Sequence, residues 1–108
     1  MNLWRSEQLE KSEKAFEVLH TTEKSQFATM VLNPGETSGE FGNEHAESDQ
    51  WLVVLSGHGE AKAESGTEKI GPGNVILIPA PEKHQFRCTG KEPLKAITFY
   101  GPPGYELD

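Results

Sequence analysis

Cysteine is nearly absent from this 108-residue chain, which carries Cys88 alone. A single thiol excludes an intrachain disulfide and is typical of a reducing compartment. Basic residues are also few, since 10 Lys and Arg stand against 17 Asp and Glu, a formal charge of −7. Because nucleic acids and anionic membranes attract Lys and Arg, this balance argues against both as partners.

Long apolar runs are missing as well. No segment approaches the ~18 consecutive apolar residues of a membrane span, and the polar N-terminus lacks the apolar stretch of a signal peptide. We therefore expect a cytoplasmic protein. Only 34% of the residues are hydrophobic, which predicts a thin core in a chain of this size. Pairing of two copies is a natural remedy, and we expect a homodimer.

The chain contains short segments that are apolar or alternate between apolar and polar residues, separated by Gly and Pro. Such alternation is typical of half-buried strands, and no segment has convincing helical periodicity. The pattern predicts an all-β sandwich or barrel. An immunoglobulin-like sandwich is the alternative, but its Cys-Trp-Cys signature is missing. The predicted strands lie at 15–21, 25–32, 50–56, 60–64, 67–70, 74–79, 84–88 and 94–100.

Three parts are expected along the chain. Residues 1–14 are polar and predict an arm with one helical turn, and 15–101 predict the barrel domain. Residues 102–108 predict a tail, because two consecutive prolines cannot donate to a sheet. Within the barrel, 35–49 is the longest irregular stretch, and an irregular segment of this length usually has a function.

The segment NEHAESDQWLVVLSG, 43–57, precedes and includes a strand that is apolar on both faces. Its spacing resembles the first motif of the cupin family: His-x-His, three or four residues, Glu, six residues, Gly. Counting back from Gly57 places Gln50 at the Glu position. His45 then takes the second His position, and Asn43 stands where the first His is usual.

A second segment resembles the other cupin motif, which is Gly, five residues, Pro-x-Gly, two residues, His, three residues, Asn. This chain has Gly73, Pro79 and His84 in register. It carries Pro81 where Gly is usual and Cys88 where Asn is usual. The resemblance spans roughly 15–101. SDQWL and FYGPPGY are similar to segments of small single-domain cupins of the conserved-barrel, cupin 2-like type.

The resemblance implies a double-stranded β-helix, or jelly-roll barrel, with a divalent metal inside. The implied ligands are His45, Gln50 and His84, with Asn43 as a poor fourth. Imidazoles suit transition metals, so Mn, Fe, Ni or Zn is expected. Without an anionic ligand, the ion would be a stronger Lewis acid but more weakly held.

Alternation along the strands predicts which side chains share the barrel interior with these ligands. Leu52 and Val54 share a face with Gln50, while Phe86 and Cys88 share one with His84. We expect these four residues to line the substrate pocket. His20, at a strand end, and His58, in a Gly-flanked turn, are expected to be solvated.

Two functions fit this pattern. The first is a metal-dependent enzyme, such as an oxygenase, isomerase or lyase, that acts on a small organic substrate. The second is a non-catalytic small-molecule binding or sensing domain whose reduced ligand set has lost the metal. The fold does not decide between them. Retention of two His and Gln50 in register favours the enzyme, and the lack of a well-placed general base favours the binder.

Overall fold

The computed structural model describes residues 1–43 and 46–105. It contains one short helix, α1 (Ser6–Leu9), and eight strands. Within the described residues, no helix is long and apolar enough to cross a membrane. All eight predicted strands are present, so the all-β prediction is confirmed. The strands are β1 (Phe16–Thr21), β2 (Gln26–Leu32), β3 (Asp49–Ser56), β4 (Gly59–Ala63), β5 (Gly66–Ile70), β6 (Val75–Ile78), β7 (His84–Cys88) and β8 (Leu94–Gly101).

The strands form two antiparallel sheets that face each other. The larger sheet has the order β1-β2-β8-β3-β6, and the smaller has the order β5-β4-β7. Two isolated bridges, Thr37 to Arg87 and Gly42 to His84, attach the irregular segment 37–42 beside β7. Strands that are far apart in sequence are therefore neighbours in both sheets, as expected for the predicted jelly roll.

Strand alternation determines what lies between the sheets. Along β3, Leu52 and Val54 are 0% and 1% exposed, whereas Trp51 between buried neighbours is 46% exposed. Phe86 and Cys88 on β7 are similarly buried, and both belong to the same core cluster as the β3 pair. The predicted inward faces of both strands are confirmed by this burial pattern.

One inward-facing row of the larger sheet is polar. Gln26 on β2 and Gln50 on β3 both lie opposite Tyr100 on the intervening strand β8. All three residues are buried. Buried polar groups are retained only where hydrogen bonds satisfy them, so this row requires specific partners and marks one end of the barrel interior.

Gly57 ends β3 because no other residue fits there. Its φ is +83°, a conformation that L side chains rarely adopt. A Cβ atom at this position would also lie 2.2 Å from the carbonyl oxygen of Pro93. The glycine that closes the first motif is therefore fixed by close packing between the turn after β3 and the segment before β8.

The N-terminal arm lies on the outer face of the larger sheet. Leu9 of α1 is buried, and the Trp4 ring contacts Phe27 at 5.1 Å between centroids. The Ser12 hydroxyl lies 3.3 Å from that of Thr29. The arm thus covers the outer face near β1 and β2. The boundaries predicted for arm, barrel and tail stay predictions.

The segment after β8 turns back over the barrel end. The Ser48 hydroxyl donates to the carbonyl of Pro102 at 2.6 Å, and the Gln26 side chain binds the backbone of Gly104 and Tyr105. The Tyr105 ring packs on Phe16, with 4.7 Å between centroids. These contacts hold residues 102–105 against the polar row.

Candidate functional site

A cavity of about 60 Å³ opens at the polar end of the barrel. This volume admits a few water molecules or a small ligand group. Its walls come from both sheets, from the 37–42 segment and from the chain after β8. The described lining residues are Phe16, Met30, Ser38, Glu40, Gly42, Gln50, His84, Phe86, Tyr100 and Tyr105.

Gln50 contributes a polar group that is only partly satisfied. Its side-chain Nε2 donates to the hydroxyls of Thr98 (2.9 Å) and Tyr100 (3.2 Å). Its Oε1 is buried and has no hydrogen-bond partner among residues 1–43 and 46–105. Because hydroxyls can donate or accept, the amide could turn either way. In the structure the nitrogen contacts both hydroxyls and the oxygen is the unpaired atom, which is the orientation that a cation would select.

His84 presents one ring nitrogen to the site. Its Nδ1 lies 3.1 Å from the carbonyl oxygen of Glu82. A carbonyl only accepts, so Nδ1 carries a proton in this contact, and in the neutral form of the ring Nε2 is the nitrogen that keeps its lone pair. Holding the far nitrogen by a backbone carbonyl is the usual way in which proteins orient a metal-binding imidazole.

The loop before His84 is fixed through Glu82. The backbone N–H of Ser65 donates to the Glu82 carboxylate at 2.8 Å. Hydrogen bonds from the side chain and backbone of Ser65 hold the pKa of Glu82 below its usual value, and the nearby His84 acts in the same direction. The carboxylate therefore stays ionised at neutral pH and anchors this loop to the β4–β5 turn.

The 37–42 segment closes the side of the cavity beside β7. Gly42 and His84 exchange backbone hydrogen bonds of 3.2 and 2.9 Å, and the Ser38 hydroxyl accepts from the Phe86 N–H at 2.9 Å. Glu40 is exposed and is the one carboxylate among the described lining residues. The longest irregular stretch of the chain thus contributes directly to the site.

His45 and Asn43 are the two other predicted ligands. His45 lies outside the described residues, so its role as a ligand stays a prediction. Asn43 is half-buried, and its side-chain amide donates to the carbonyl of Pro81 at 3.2 Å. Asn43 is not among the residues that line the cavity. Its ligand role also stays a prediction, and its position gives that role the least support.

The four predicted pocket residues occupy different depths. Phe86 lines the cavity and contacts the His84 ring at 5.5 Å between centroids. Leu52, Val54 and Cys88 lie in the hydrophobic core and are not among the lining residues. The Cys88 thiol donates to the carbonyl of Glu92 at 3.3 Å. A direct substrate contact by these three residues stays a prediction.

Sequence reasoning missed several residues that line the cavity. Tyr100 could have been found, because strand alternation along β8 places it on the same face as Thr98. Tyr105 follows two prolines, and no local pattern indicates that the chain folds back there. Glu40 lies in the irregular stretch 35–49, and it is an exposed residue that lines the cavity. His20 and His58 are exposed, as predicted.

The donor set fits a loosely held cation. Among residues 1–43 and 46–105, no group of three or more His, Cys, Asp and Glu side chains could hold a metal ion. Among the described lining residues, the two at cupin-motif ligand positions are Gln50 and His84, and neither is a carboxylate; Glu40 lies outside the motifs. A buried oxygen and an oriented imidazole that line one cavity suit a divalent transition metal completed by further ligands or water.

The sequence profile of the Cupin domain family matches residues 28–100. The eight-stranded double-stranded β-helix described above is the architecture of that family. This chain belongs to the cupin family. Cupins commonly bind divalent metals.

Individual relatives extend this comparison. The L-ectoine synthase of Bordetella parapertussis is 30% identical over 77 residues, which cover 71% of this chain and 57% of the relative. A solved structure from Bacillus halodurans aligns with a TM-score of 0.85 at 29% identity, covering 94% of this chain and 80% of that one. A cupin-superfamily sugar phosphate isomerase from Silicibacter pomeroyi shares the fold at 21% identity, with a TM-score of 0.68 and coverage of 82% and 60%. This chain thus spans little more than half the length of the curated relatives that it matches.

Proposed function

We propose that this cupin binds a divalent transition metal in its barrel and uses it on a small organic substrate. His84 and Gln50 would hold the ion, together with His45 from the first motif and with Asn43 as the weakest candidate. The reaction class would be that of a lyase, isomerase or oxygenase. The similarity to L-ectoine synthase supports an enzyme that acts on a small molecule.

One observation carries this proposal. A buried amide oxygen without a partner costs free energy, about 1–3 kcal/mol, and Gln50 Oε1 is such an atom. Gln50 lines the same cavity as His84, which carries the one imidazole among the described lining residues. In this proposal, one cation bound by both residues would pair the Gln50 oxygen.

The residues around this position have separable roles. When bound, a divalent ion supplies Lewis acidity that polarises a substrate oxygen. Thr98 and Tyr100 hold the Gln50 side chain in place through its amide group, and the Phe86 ring contacts the His84 ring. Glu40 stands at the mouth as a carboxylate that could accept a proton from substrate.

Elemental analysis tests the metal site. Protein is refolded separately with Mn²⁺, Fe²⁺, Ni²⁺ or Zn²⁺, desalted, and analysed by inductively coupled plasma mass spectrometry. We expect roughly one ion per chain for at least one of these metals and its loss in His84→Ala. His20→Ala is the matched control, because His20 is an exposed imidazole on the outside of β1. Retention of no metal by the unaltered protein would overturn the proposal.

The alternative function is a non-catalytic binding or sensing cupin. It is favoured by the two neutral donors found among the described residues and by the small cavity. The two functions differ in Gln50→Leu. If the metal is used, this variant loses metal and activity together. If the cavity binds an organic ligand without metal, Gln50→Leu alters ligand affinity while metal content stays at background in both proteins.

We further propose that two copies pair through the outer face of β3, β6 and β8. Trp51 lies between Leu77 and Phe99 in adjacent strands, and these side chains are 46%, 43% and 38% exposed. The arm covers the neighbouring part of the same face. An exposed patch of large apolar side chains on adjacent strands is typical of a protein interface, and a second copy would bury this one.

The oligomeric state tests this pairing. Light scattering after size-exclusion chromatography should give twice the chain mass for the unaltered protein and the chain mass for Trp51→Glu. Phe41→Glu is the control, since Phe41 is 38% exposed but lies on the 37–42 segment beside Lys62. A monomeric unaltered protein would contradict the homodimer. The cytoplasmic location of the protein remains a prediction.

A further inference from the structure

We infer that Tyr105 is an access-controlling wall of the site and that Gln26 is the residue that positions it. This inference rests on the proposed function, because it assigns a role to the approach to His84 and Gln50. It concerns residues outside both cupin motifs of the sequence. The observations that carry it are a saturated set of hydrogen bonds and an aromatic contact.

Gln26 uses its whole side-chain amide to hold the returning chain. Its Oε1 accepts from the backbone N–H groups of Gly104 (3.2 Å) and Tyr105 (2.9 Å). Its Nε2 donates to the carbonyl oxygen of Tyr105 (2.8 Å) and to the Thr21 hydroxyl (3.0 Å). Gln26 is only 1% exposed. A buried glutamine that makes three of its four hydrogen bonds to a segment 78–79 residues away specifies where that segment lies.

The held segment places an aromatic ring on the cavity. Tyr105 contacts Phe16 at 4.7 Å and Tyr100 at 5.5 Å between centroids. All three rings line the cavity that also contains Gln50 and His84. Aromatic contacts of this kind add to simple burial and fix ring positions. Tyr105 therefore forms a wall that is brought in from outside the two sheets.

Tyr105 is attached to the barrel differently from the lining residues that belong to strands. Gln50, Tyr100 and His84 are parts of paired strands, whereas Tyr105 lies beyond β8, after Pro102 and Pro103. Three hydrogen bonds from Gln26 hold Gly104 and Tyr105. Losing one hydrogen bond of ordinary strength would raise the fraction of molecules in which Gly104 and Tyr105 are released from Gln26 roughly fivefold. The width of the entrance thus depends on Gln26 and on the Tyr105 ring.

The consequence is a size limit on ligands. With Tyr105 in place, the cavity is about 60 Å³, so only a small polar end of a substrate reaches Gln50 and His84. Any larger apolar portion must lie along Phe16 and Tyr105 at the entrance. The substrate class favoured by this arrangement is a small amphipathic molecule whose reacting group is at one end.

Chemical labelling of His84 tests the inference without any metal. Diethyl pyrocarbonate acylates accessible neutral imidazoles, and the chelator-treated protein is exposed to it for increasing times. Trypsin then releases HQFR, residues 84–87, which contains His84 alone, and 15–24, which contains His20 alone. Mass spectrometry gives the ratio of the two labelling rates in the same sample. Exposed His20 serves as the internal reference.

The variants separate a wall from a general structural role. We expect Gln26→Leu to raise the His84 to His20 ratio roughly fivefold or more, because it removes hydrogen bonds that hold the segment. Tyr105→Ala should also raise the ratio because it removes the ring, and Tyr105→Phe should retain the unaltered ratio because the ring remains. Gln8→Leu, on α1, is the matched control for Gln26→Leu. Tyr105→Ala changes a half-buried residue beyond the last strand, so it tests the inference even if Gln26→Leu does not fold.

Failure of this inference and failure of the proposed function would give different results. An unchanged ratio in folded Tyr105→Ala, or an equal rise in Tyr105→Phe, overturns the inference whatever the metal content. Absence of metal from every preparation would overturn the proposed function alone, since the labelling uses metal-free protein. If metal is bound, EDTA should also remove it faster from Tyr105→Ala than from Tyr105→Phe.

Discussion

The two faces of the larger sheet differ in what holds their side chains. On the inner face, Gln50 and Leu52 are at most 5% exposed, and the polar row is joined by hydrogen bonds. On the outer face, the arm covers the region near β2, while Trp51 and Phe99 remain 46% and 38% exposed. The same strands therefore carry a fixed interior and an outer surface that is only partly covered.

This difference explains the location of the site. A polar residue on the inner face must find partners or a ligand, because water does not reach it freely. Within the part of the chain that the structure describes, Gln50 has partners for its nitrogen but none for its oxygen. A side chain on the exposed part of the outer face contacts water, so it needs neither a hydrogen-bond partner in the protein nor a ligand. The candidate chemistry is thus concentrated where alternation directs a polar side chain inward.

The largest expected effect contrasts two leucines on paired strands. Leu52→Ala should lower the free energy of unfolding by about 2–5 kcal/mol, because it opens a cavity in a fully buried cluster. Leu77→Ala, on the exposed outer face, should change it by less than about 0.5 kcal/mol when both changes are measured in the monomeric Trp51→Glu background. Urea titrations followed by circular dichroism measure both. Equal losses would show that the outer face is as tightly packed as the inner one.

A smaller effect is expected for Gln50→Glu. The buried carboxylate should destabilise the metal-free protein by about 1–3 kcal/mol. It should also bind a divalent metal more tightly, because it restores the anionic ligand that the cupin motif usually has. Thermal unfolding with and without added Mn²⁺ or Zn²⁺ measures the balance, and saturation at a hundred times Kd adds about 2.7 kcal/mol.

Gln85→Glu is the control for this prediction. Gln85 lies beside His84, but its side chain donates to the carbonyl of Gly39 and is not among the cavity-lining residues. Its variant should show no added response to metal. A metal response of the same size in both variants would mean that the ion binds the acidic surface rather than the barrel.

The arm should contribute less than the core. Leu9→Ala removes the buried residue of α1 and should cost about 1–2 kcal/mol. Leu3→Ala is the matched control, since Leu3 is 62% exposed. Denaturant titration measures stability, and limited proteolysis near residue 11 reports release of the arm. If Leu9→Ala behaves like Leu3→Ala, the arm makes no measurable contribution to stability.

The smallest effect concerns pH. Because the folded-state pKa of Glu82 is lowered by its hydrogen bonds with Ser65, its stabilising contribution is present above its usual pKa, near 4.5. The contribution is lost as pH falls through the lower folded-state value. Melting temperatures should therefore decrease less on acidification in Glu82→Gln than in the unaltered protein. Parallel pH profiles of the two proteins would contradict this assignment.

Much of the fold could be predicted because alternation and Gly or Pro punctuation act locally. The β3 pattern around Gln50 and Leu52 and the β7 pattern around His84 both gave the correct inward faces. The position of Tyr105 could not be predicted, since it depends on hydrogen bonds to Gln26, 79 residues earlier. The cavity depth was also missed, because alternation places Leu52 and Cys88 inside without saying whether they reach open space.

The buried position of Cys88 has a practical consequence. Its sulfur is 0% exposed and is the only thiol in the chain. Thiol-directed dyes or spin labels should therefore leave the native protein untouched. A cysteine introduced beside Tyr105 would be the sole reactive position, and a single attached reporter could follow the entrance without background from elsewhere.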